Sequence, residues 1–245
     1  MRVRWLRMLA VEAACLLFTQ PVRPLFRLLR RWRGAPGTPI VFVHGYAQSC
    51  ATFWGLGVRL ARRRLGPLYA FDYFSLHDIP TIAAHLERFV ERVCEEHRSS
   101  GVHLVCHSMG GLVAVEYVRR TAAPRIARCV TVATPHAGVR WAGPIPGACG
   151  AQMREGCDYL ADLAAVRLRV PFLSICSEDD QLFFARSSPS LASRGGSDLV
   201  LSEGGHLAML FSREVADHIE IFLRPARPHA VPDAIALPEL ADAAE

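Results

Sequence analysis

A serine between an apolar run and two glycines is the first residue whose surroundings point to chemistry. Ser108 follows the apolar run 102–106 and His107, and it precedes Met109 and a Gly-Gly pair. A buried strand that turns sharply into a helix at a serine raises the hydroxyl above the sheet as a nucleophile. Strand and helix approach closely there, so small neighbours are needed, and the glycines and Cys106 meet that need. The start of the helix also favours negative charge near the hydroxyl.

A serine nucleophile needs a base, and three histidines lie far enough downstream to be candidates. Where a strand–serine–helix turn carries the nucleophile, the acid and then the histidine follow it along the chain. His206 lies in a Gly-Gly-His loop between the last apolar run and the last helical pattern, where it can reach back to Ser108. His218 falls inside that helical pattern, and His229 lies in a Pro-rich tail. We therefore predict that His206 is the base.

The acid that orients the base should end the preceding strand. The apolar run 170–176 is followed by Ser177 and then by Glu178, Asp179 and Asp180. The carboxylate would hold the second N–H of the histidine and stabilise its charged form. We predict Asp180 as the acid, with Asp179 as the second choice.

Two backbone N–H groups are predicted to stabilise the negative oxygen of a tetrahedral intermediate. One belongs to Met109, directly after the nucleophile. The other should come from the loop after an earlier strand, and His44-Gly45-Tyr46 follows the first strong apolar run. We predict that the Tyr46 amide, rather than its phenol, fills this position. His44 is expected to order the loop through hydrogen bonds rather than to take part in catalysis.

Buried strands that alternate with helices must position these side chains. Apolar runs typical of strands occur at 40–43, 68–73, 102–106, 126–132, 170–176 and 198–201. Helical patterns lie between or after them, at 79–98, 112–119, 152–166 and 207–223. The pattern predicts a single-domain α/β fold over residues 34–224, with a mostly parallel sheet of about six strands and helices on both faces. Residues 225–245, rich in Pro, Ala and acidic residues, are predicted to be a mobile tail.

The N-terminal segment, residues 1–33, carries most of the formal net charge of +5, because it holds eight Arg and one Glu. The domain that follows is nearly neutral, which argues against a nucleic-acid partner. The mixture of Arg with apolar and aromatic residues is typical of a helix at a membrane interface, or of an amphipathic helix packed on the domain. Its apolar core is too short for a confident spanning helix. A membrane-associated or exported location is favoured, and a cytoplasmic one stays open; the sequence leaves the oligomeric state undetermined.

Eight cysteines lie in the chain without metal-binding spacing, since no Cys-x-x-Cys pair occurs. Those in apolar runs, such as Cys106, are expected to be buried thiols. Cys149 and Cys157 flank a short loop and could form a disulfide if the chain is exported. The chain also lacks a phosphate loop and a dinucleotide fingerprint. We therefore expect no metal and no organic cofactor.

These segments together resemble the α/β-hydrolase superfamily, in particular small bacterial triacylglycerol lipases and esterases with little or no lid. The resemblance covers Pro39 to about Leu223. It is carried by the segments 41–46, 107–111, 134–138, 180–183 and 204–212. It implies the α/β-hydrolase fold, with Ser108, Asp180 and His206 as the catalytic triad. Cys106 stands where the family pattern has Gly, and Phe183 where it usually has Val. The segment 137–169, where larger lipases carry a lid, is short, which implies an exposed site and weak interfacial activation.

These residues together predict a serine hydrolase that cleaves carboxylic esters, either acyl lipids or smaller acyl esters. The apolar residues Val139, Trp141 and Ile145 in the short cover favour an acyl chain over a charged substrate. An acyltransferase or thioesterase could use the same triad, because an acyl-enzyme partitions between water and other nucleophiles. A hydrolase fold without activity is the third alternative, and a full Ser, Asp and His set in the expected order argues against it.

Overall fold

A single sheet runs through the part of the chain that the computed structural model describes, residues 31–32, 35–140, 145–180 and 190–224. Its strands are β1 (Arg31–Trp32), β2 (Ile40–Val43), β3 (Leu68–Phe71), β4 (Val102–His107), β5 (Ile126–Val132), β6 (Phe172–Ser177) and β7 (Ser197–Leu201). They lie in the order β1-β3-β2-β4-β5-β6-β7. Strands β2 to β7 pair in parallel. The predicted mostly parallel sheet of about six strands is confirmed.

The short strand β1 adds an antiparallel edge to this sheet. Arg31 pairs with Tyr69, and Trp32 pairs with Leu68 of β3. The sequence had assigned both residues to the N-terminal segment 1–33, with no strand expected there. A two-residue strand contains too few positions to show a period of two, so its pairing depends on the chain returning to β3. The sheet therefore begins before residue 34, the predicted start of the domain.

Helices cover both faces of the sheet, as the buried apolar strands require. They are α1 (Trp54–Arg62), α2 (Ile79–His97), α3 (Met109–Arg120), α4 (Ala148–Gln152), α5 (Asp158–Ala165) and α6 (Arg213–Leu223). Apolar side chains of α2, α3, α4 and α5 form one core with one face of the sheet. Those of α1 and α6 form a second core on the opposite face. The predicted α/β architecture is therefore confirmed, and the central strands are shielded from water on both sides.

Two helical stretches differ from the sequence prediction for local reasons. The sequence analysis did not predict α1, which contains two glycines that lower helix propensity. Gly55 is needed there because a Cβ at this position would lie 2.7 Å from the ring of Phe211. The helix predicted over 207–223 is divided into a 3-10 helix, Ala208–Phe211, and α6. Ser212 separates them because its side chain accepts a hydrogen bond from the Val215 N–H and caps α6.

The two ends of helix α2 are determined by individual residues in the sequence. The Asp78 side chain accepts a hydrogen bond from the Thr81 N–H at 2.8 Å, and Pro80 lies in the first turn. Both features stabilise a helix start, because the first N–H groups have no partner inside the helix. Arg98 ends the helix in a left-handed conformation. The start of α2 is thereby fixed directly after the loop that follows β3.

The cover segment, residues 145–166, contains α4 and α5 and packs against the loop after β3. The Ile79 N–H donates to Gln152 Oε1 at 2.7 Å, and the Ala148 N–H donates to the Leu76 carbonyl at 3.2 Å. The helix predicted over 152–166 is shorter, and α4 precedes it.

Cys149 and Cys157 in this segment are both free thiols. The Cys149 thiol donates to the Ser75 carbonyl and the Cys157 thiol to the Gln152 carbonyl. The disulfide considered from the sequence is therefore absent.

The membrane hypothesis concerns residues 1–33, which lie outside the described residues except for β1. Within the described ranges, none of the helices has the length and apolar character needed to cross a bilayer. The predicted mobile tail, 225–245, also lies outside these ranges.

His103 on β4 makes the stability of the fold depend on pH. Its Nδ1 atom is buried without a hydrogen-bond partner among the described residues. Burial, reinforced by Arg128, lowers the pKa of His103 from 6.5 to about 4. Below pH 6.5 the unfolded chain takes up a proton on this ring that the folded chain does not. Stability is therefore lost as the pH falls from about 6.5 to about 4.

We expect His103→Gln to reduce this acid sensitivity. Between pH 6.5 and pH 4, its free energy of unfolding should fall by up to about 3 kcal/mol less than that of the wild type. Urea unfolding at a series of pH values measures the difference. If the free energy of unfolding falls with pH in parallel for the two proteins, the pKa of His103 is not lowered in the folded chain.

Candidate active site

Ser108 occupies a strained turn between β4 and α3. Its φ of 53° and ψ of −128° lie in a region that non-glycine residues rarely adopt. The turn is held from β5 and the loop after it, because the Ser108 N–H donates to the Val132 carbonyl at 2.9 Å and Thr134 Oγ1 donates to the Ser108 carbonyl at 2.9 Å. These bonds fix the serine backbone at the carboxyl edge of the sheet.

Close backbone approaches around Ser108 explain the small residues beside it. A Cβ at Gly110 would lie 2.3 Å from the Val43 carbonyl oxygen, and one at Gly111 would lie 2.1 Å from Thr134 Oγ1. Cys106, which replaces the first glycine of the family pattern, is fully buried in the core between the sheet and α3. The turn therefore accommodates a thiol on its strand side and requires glycine on its helix side.

The structure brings Asp180 and His206 together. Asp180 follows β6, and His206 lies in the His206 loop, residues 202–207, which follows β7. Asp180 Oδ2 lies 2.8 Å from His206 Nδ1, and both side chains are almost fully buried. Because a carboxylate accepts hydrogen bonds, Nδ1 carries the proton in this pair. The neighbouring Asp179 uses its backbone N–H to bond Ser177 Oγ at 3.1 Å.

The structure describes one of the other two histidine candidates for the base. His218 lies within α6, and His229 lies outside the described residues.

His107 links Ser108 with His206. Its Nε2 atom lies 3.0 Å from the backbone carbonyl oxygen of His206, and the two imidazole rings lie 4.7 Å apart between centroids. On its other side, His107 Nδ1 lies 3.0 Å from Gln48 Oε1. The residue before the serine therefore contacts two loops that are distant along the chain.

The Gly45 loop, residues 44–49, lies directly beside the serine. A Cβ at Gly45 would lie 2.7 Å from Ser108 Cβ and 3.2 Å from Ser108 Oγ. The loop is held by its neighbours, because the Gly45 N–H donates to Gln48 Oε1 at 3.1 Å and the Ala47 N–H donates to Ser75 Oγ at 2.9 Å. Within the described ranges, no hydrogen-bond acceptor is found for the N–H of Tyr46 or Met109.

His44, the first residue of this loop, is buried and contacts its surroundings through both ring nitrogens. Nδ1 lies 2.9 Å from the Gly45 carbonyl oxygen, and Nε2 lies 3.3 Å from Asp72 Oδ1. The ring stacks on Tyr73 at 4.1 Å between centroids. The structure thus gives His44 the loop-ordering contacts that the sequence analysis expected.

His136, in the Thr-Pro-His segment after β5, is a buried neutral side chain. Its Nε2 lies 3.3 Å from Thr131 Oγ1, and burial lowers its pKa to about 3. The sequence analysis assigned no catalytic role to it, and these contacts anchor the segment that carries Thr134.

The sequence analysis missed two residues of the site, Gln48 and His107. A polar residue three positions after a loop glycine is too common to attract attention, and the sequence analysis gave His107 no role beside Ser108. Their contacts depend on three loops meeting at one edge of the sheet, which periodicity does not reveal. Within the described ranges there is no cluster of three His, Cys, Asp or Glu side chains suited to a metal ion.

A model of the alpha/beta hydrolase family matches residues 40–159, from β2 into α5, and this range includes Ser108. Over these residues the chain is similar to that family, and its fold is the α/β-hydrolase fold.

Solved structures share the fold of this hydrolase at low sequence identity. Bacillus licheniformis lipase BlEst2 in its mature form has a TM-score of 0.64 at 14% identity, covering 78% of this chain and 96% of the lipase. A bacterial membrane phospholipase A described as a virulence factor has a TM-score of 0.58 at 14% identity, covering 90% and 97%. An epoxide hydrolase mutant from Bacillus megaterium has a TM-score of 0.57 at 12% identity, covering 79% and 95%. At these identities the likeness shows the fold, which hosts several reactions.

We expect Gly110→Ala to destabilise this hydrolase by about 2 kcal/mol or more, because its Cβ would meet the backbone of β2 rather than a movable side chain. Denaturant unfolding measures the loss. Gly156→Ala is the control, since a Cβ there meets no atom within 4 Å and the cost comes from the positive φ of 77° alone. That cost should be about 1 kcal/mol. Equal losses in the two variants would refute the close approach at Gly110.

Proposed function

We propose that this hydrolase cleaves carboxylic esters through an acyl-enzyme on Ser108. The observation that carries the proposal is the buried Asp180–His206 hydrogen bond of 2.8 Å, on a loop that His107 ties to the serine turn. A carboxylate bonded to one histidine nitrogen directs the basic lone pair of the other nitrogen outwards, as a general base requires. The order Ser108, Asp180 and His206 along the chain is the one that this fold uses.

In the acylation step, His206 Nε2 takes the proton of the Ser108 hydroxyl while Oγ forms a bond to the ester carbonyl carbon. The carbonyl π electrons move to oxygen and give a tetrahedral intermediate. Asp180 keeps the Nδ1–H of His206 in place and stabilises the imidazolium. The intermediate then collapses, the C–O bond to the alcohol breaks, and the alcohol leaves with the proton from His206. In deacylation, a water molecule attacks the acyl carbon by the same route, releasing the acid and restoring Ser108.

The backbone N–H groups of Tyr46 and Met109 are proposed to stabilise the negative oxygen of both intermediates. Supporting this, Gly45 lies against Ser108, so the amide of the next residue is close to the reacting carbon. The Gly45 loop is held by Gln48 and Ser75 before substrate arrives, which avoids a cost of reorganisation during the reaction. This assignment needs no metal ion and no organic cofactor.

The proposed substrates are acyl lipids or smaller acyl esters. Phe74 and Leu76 support an apolar substrate, since they are 60% and 39% exposed and flank Ser75, which bonds the Gly45 loop. The three cover residues that favoured an acyl chain in the sequence analysis no longer support that argument. Val139 belongs to the core, Ile145 is packed against it, and Trp141 lies outside the described residues. The lipase and the phospholipase A among the solved structures are consistent with an acyl substrate.

Hydrolysis of p-nitrophenyl esters from acetyl to palmitoyl by the full chain tests this proposal. We expect Ser108→Ala and His206→Ala to lose at least about a thousandfold in kcat/KM, because each removes a partner in the same proton transfer. Asp180→Asn should also lose strongly, whereas the matched control Asp179→Asn should keep most of the activity. His218→Ala is the matched control for the base.

The products and a covalent probe separate the alternatives. A fluorophosphonate should label Ser108 in the folded wild type and fail to label Ser108→Ala. Acyl esters of an added alcohol, formed in place of free acid, would assign the chain to acyl transfer, and turnover of thioesters alone would assign it to thioester hydrolysis. A folded wild type that hydrolyses no ester and takes up no probe would refute the proposal.

The oxyanion assignment predicts opposite results for two substitutions at one position. Tyr46→Pro removes the backbone N–H, so we expect kcat to fall by about a hundred- to a thousandfold. Tyr46→Phe removes only the hydroxyl that donates to the Pro146 carbonyl, so kcat should stay close to that of the wild type. Steady-state kinetics on both variants, with circular dichroism to check folding, make the comparison. Equal activities of the two variants would remove Tyr46 from the oxyanion site.

A further inference from the structure

We infer that His107 is a positioning residue that holds the Gly45 loop and the His206 loop in register around the reacting carbonyl. The inference rests on the proposed function, because these two loops carry the Tyr46 amide and the base. His107 is the last residue of β4 and therefore moves with the serine that follows it. A single side chain thus connects the nucleophile, the oxyanion donor and the base.

The contact with the Gly45 loop runs through Gln48. The Gln48 side-chain atom that faces His107 Nδ1 also accepts a hydrogen bond from the Gly45 N–H, and only the amide oxygen can do so. Gln48 Oε1 is therefore shared between the loop backbone and His107. Because Gly45 immediately precedes Tyr46, displacing Gln48 would shift the Tyr46 N–H relative to Ser108.

The contact with the His206 loop is to the backbone. His107 Nε2 lies 3.0 Å from the carbonyl oxygen of His206, so it restrains the main chain at the residue that carries the base. Asp180 restrains the ring of the same residue from the other side. The backbone and the ring of His206 are therefore fixed by two different side chains.

Both partners of His107 are acceptors, and the ring has one proton to share between them. Burial lowers the pKa of His107 well below its usual value, and the nearby His206 and His44 act in the same direction. A neutral imidazole donates from one nitrogen only, so at any moment it bonds either Gln48 Oε1 or the His206 carbonyl. Substitutions that keep a donor on one side should therefore restore one contact at a time.

Steady-state kinetics of the full chain on its best p-nitrophenyl ester test the inference. His107→Leu removes both contacts, and we expect kcat to fall by about ten- to a hundredfold while KM changes little, because the reacting groups are misplaced rather than substrate binding lost. His107→Asn keeps a donor towards Gln48, and His107→Gln keeps one towards the His206 carbonyl. Each should recover part of the kcat lost in His107→Leu.

His103→Leu is the matched control, since His103 lies on the same strand and on the same face of the sheet, roughly 13 Å from His107. It changes a partly buried histidine to leucine, as His107→Leu does, without touching either loop. We expect its kcat to match that of the wild type. A kcat of His107→Leu within about threefold of the control would overturn the inference, whatever the two melting temperatures.

Amide hydrogen exchange gives a readout that does not depend on ester turnover. In His107→Leu, exchange should accelerate both in the Gly45 loop, residues 44–49, and in the His206 loop, residues 202–207, and in neither for His103→Leu. Acceleration in one loop alone, or in neither, would overturn the bridging role. If the wild type hydrolyses no ester but both loops loosen, the proposed function fails while the link through His107 stands.

Discussion

The close approach of three backbone segments at Ser108 is the constraint on which the rest of the site depends. The serine keeps its strained conformation only while β5 holds its N–H and Thr134 holds its carbonyl. Helix α3 can leave the strand at this angle only because Gly110 fits against the Val43 carbonyl. The central strand order β2-β4-β5 therefore does more than form a core. It supplies, from both neighbours of β4, the contacts that a strained turn needs in order to persist.

The parallel sheet then determines where the remaining groups arrive. Parallel strands present their carboxyl ends at one edge, so loops far apart in sequence become neighbours there. The Gly45 loop follows β2, Asp180 follows β6, and the His206 loop follows β7. Strands β6 and β7 are adjacent, which lets a side chain from each loop meet in the buried Asp180–His206 bond. The carboxyl edge of the sheet thus brings the loops together, and the loops carry the side chains of the candidate site.

The sequence was sufficient to predict those parts of the molecule whose structure depends on the local pattern of residues. The buried strands are continuous apolar runs, and β5 was predicted with its observed bounds. Ser108 and His206 stand in short segments with distinctive glycines, so local sequence singled out both as candidates. Strand β1 and the bond between Gln48 and His107 depend instead on contacts across many residues. Helix α1 was missed because its glycines, one of which admits the Phe211 ring, lower helix propensity.

Two His–Asp pairs lie at the same edge of the sheet, and the contacts around each pair indicate different roles. His44 meets Asp72 at 3.3 Å, but its other nitrogen bonds the Gly45 carbonyl and its ring stacks on Tyr73. A ring that is held at both nitrogens and on one face can order a loop. It cannot transfer a proton without breaking one of these contacts. His206 meets Asp180 at the shorter distance of 2.8 Å through Nδ1, and His107 fixes its backbone beside the serine. The same two residue types thus support a loop in one place and form the proposed proton-transfer pair in the other.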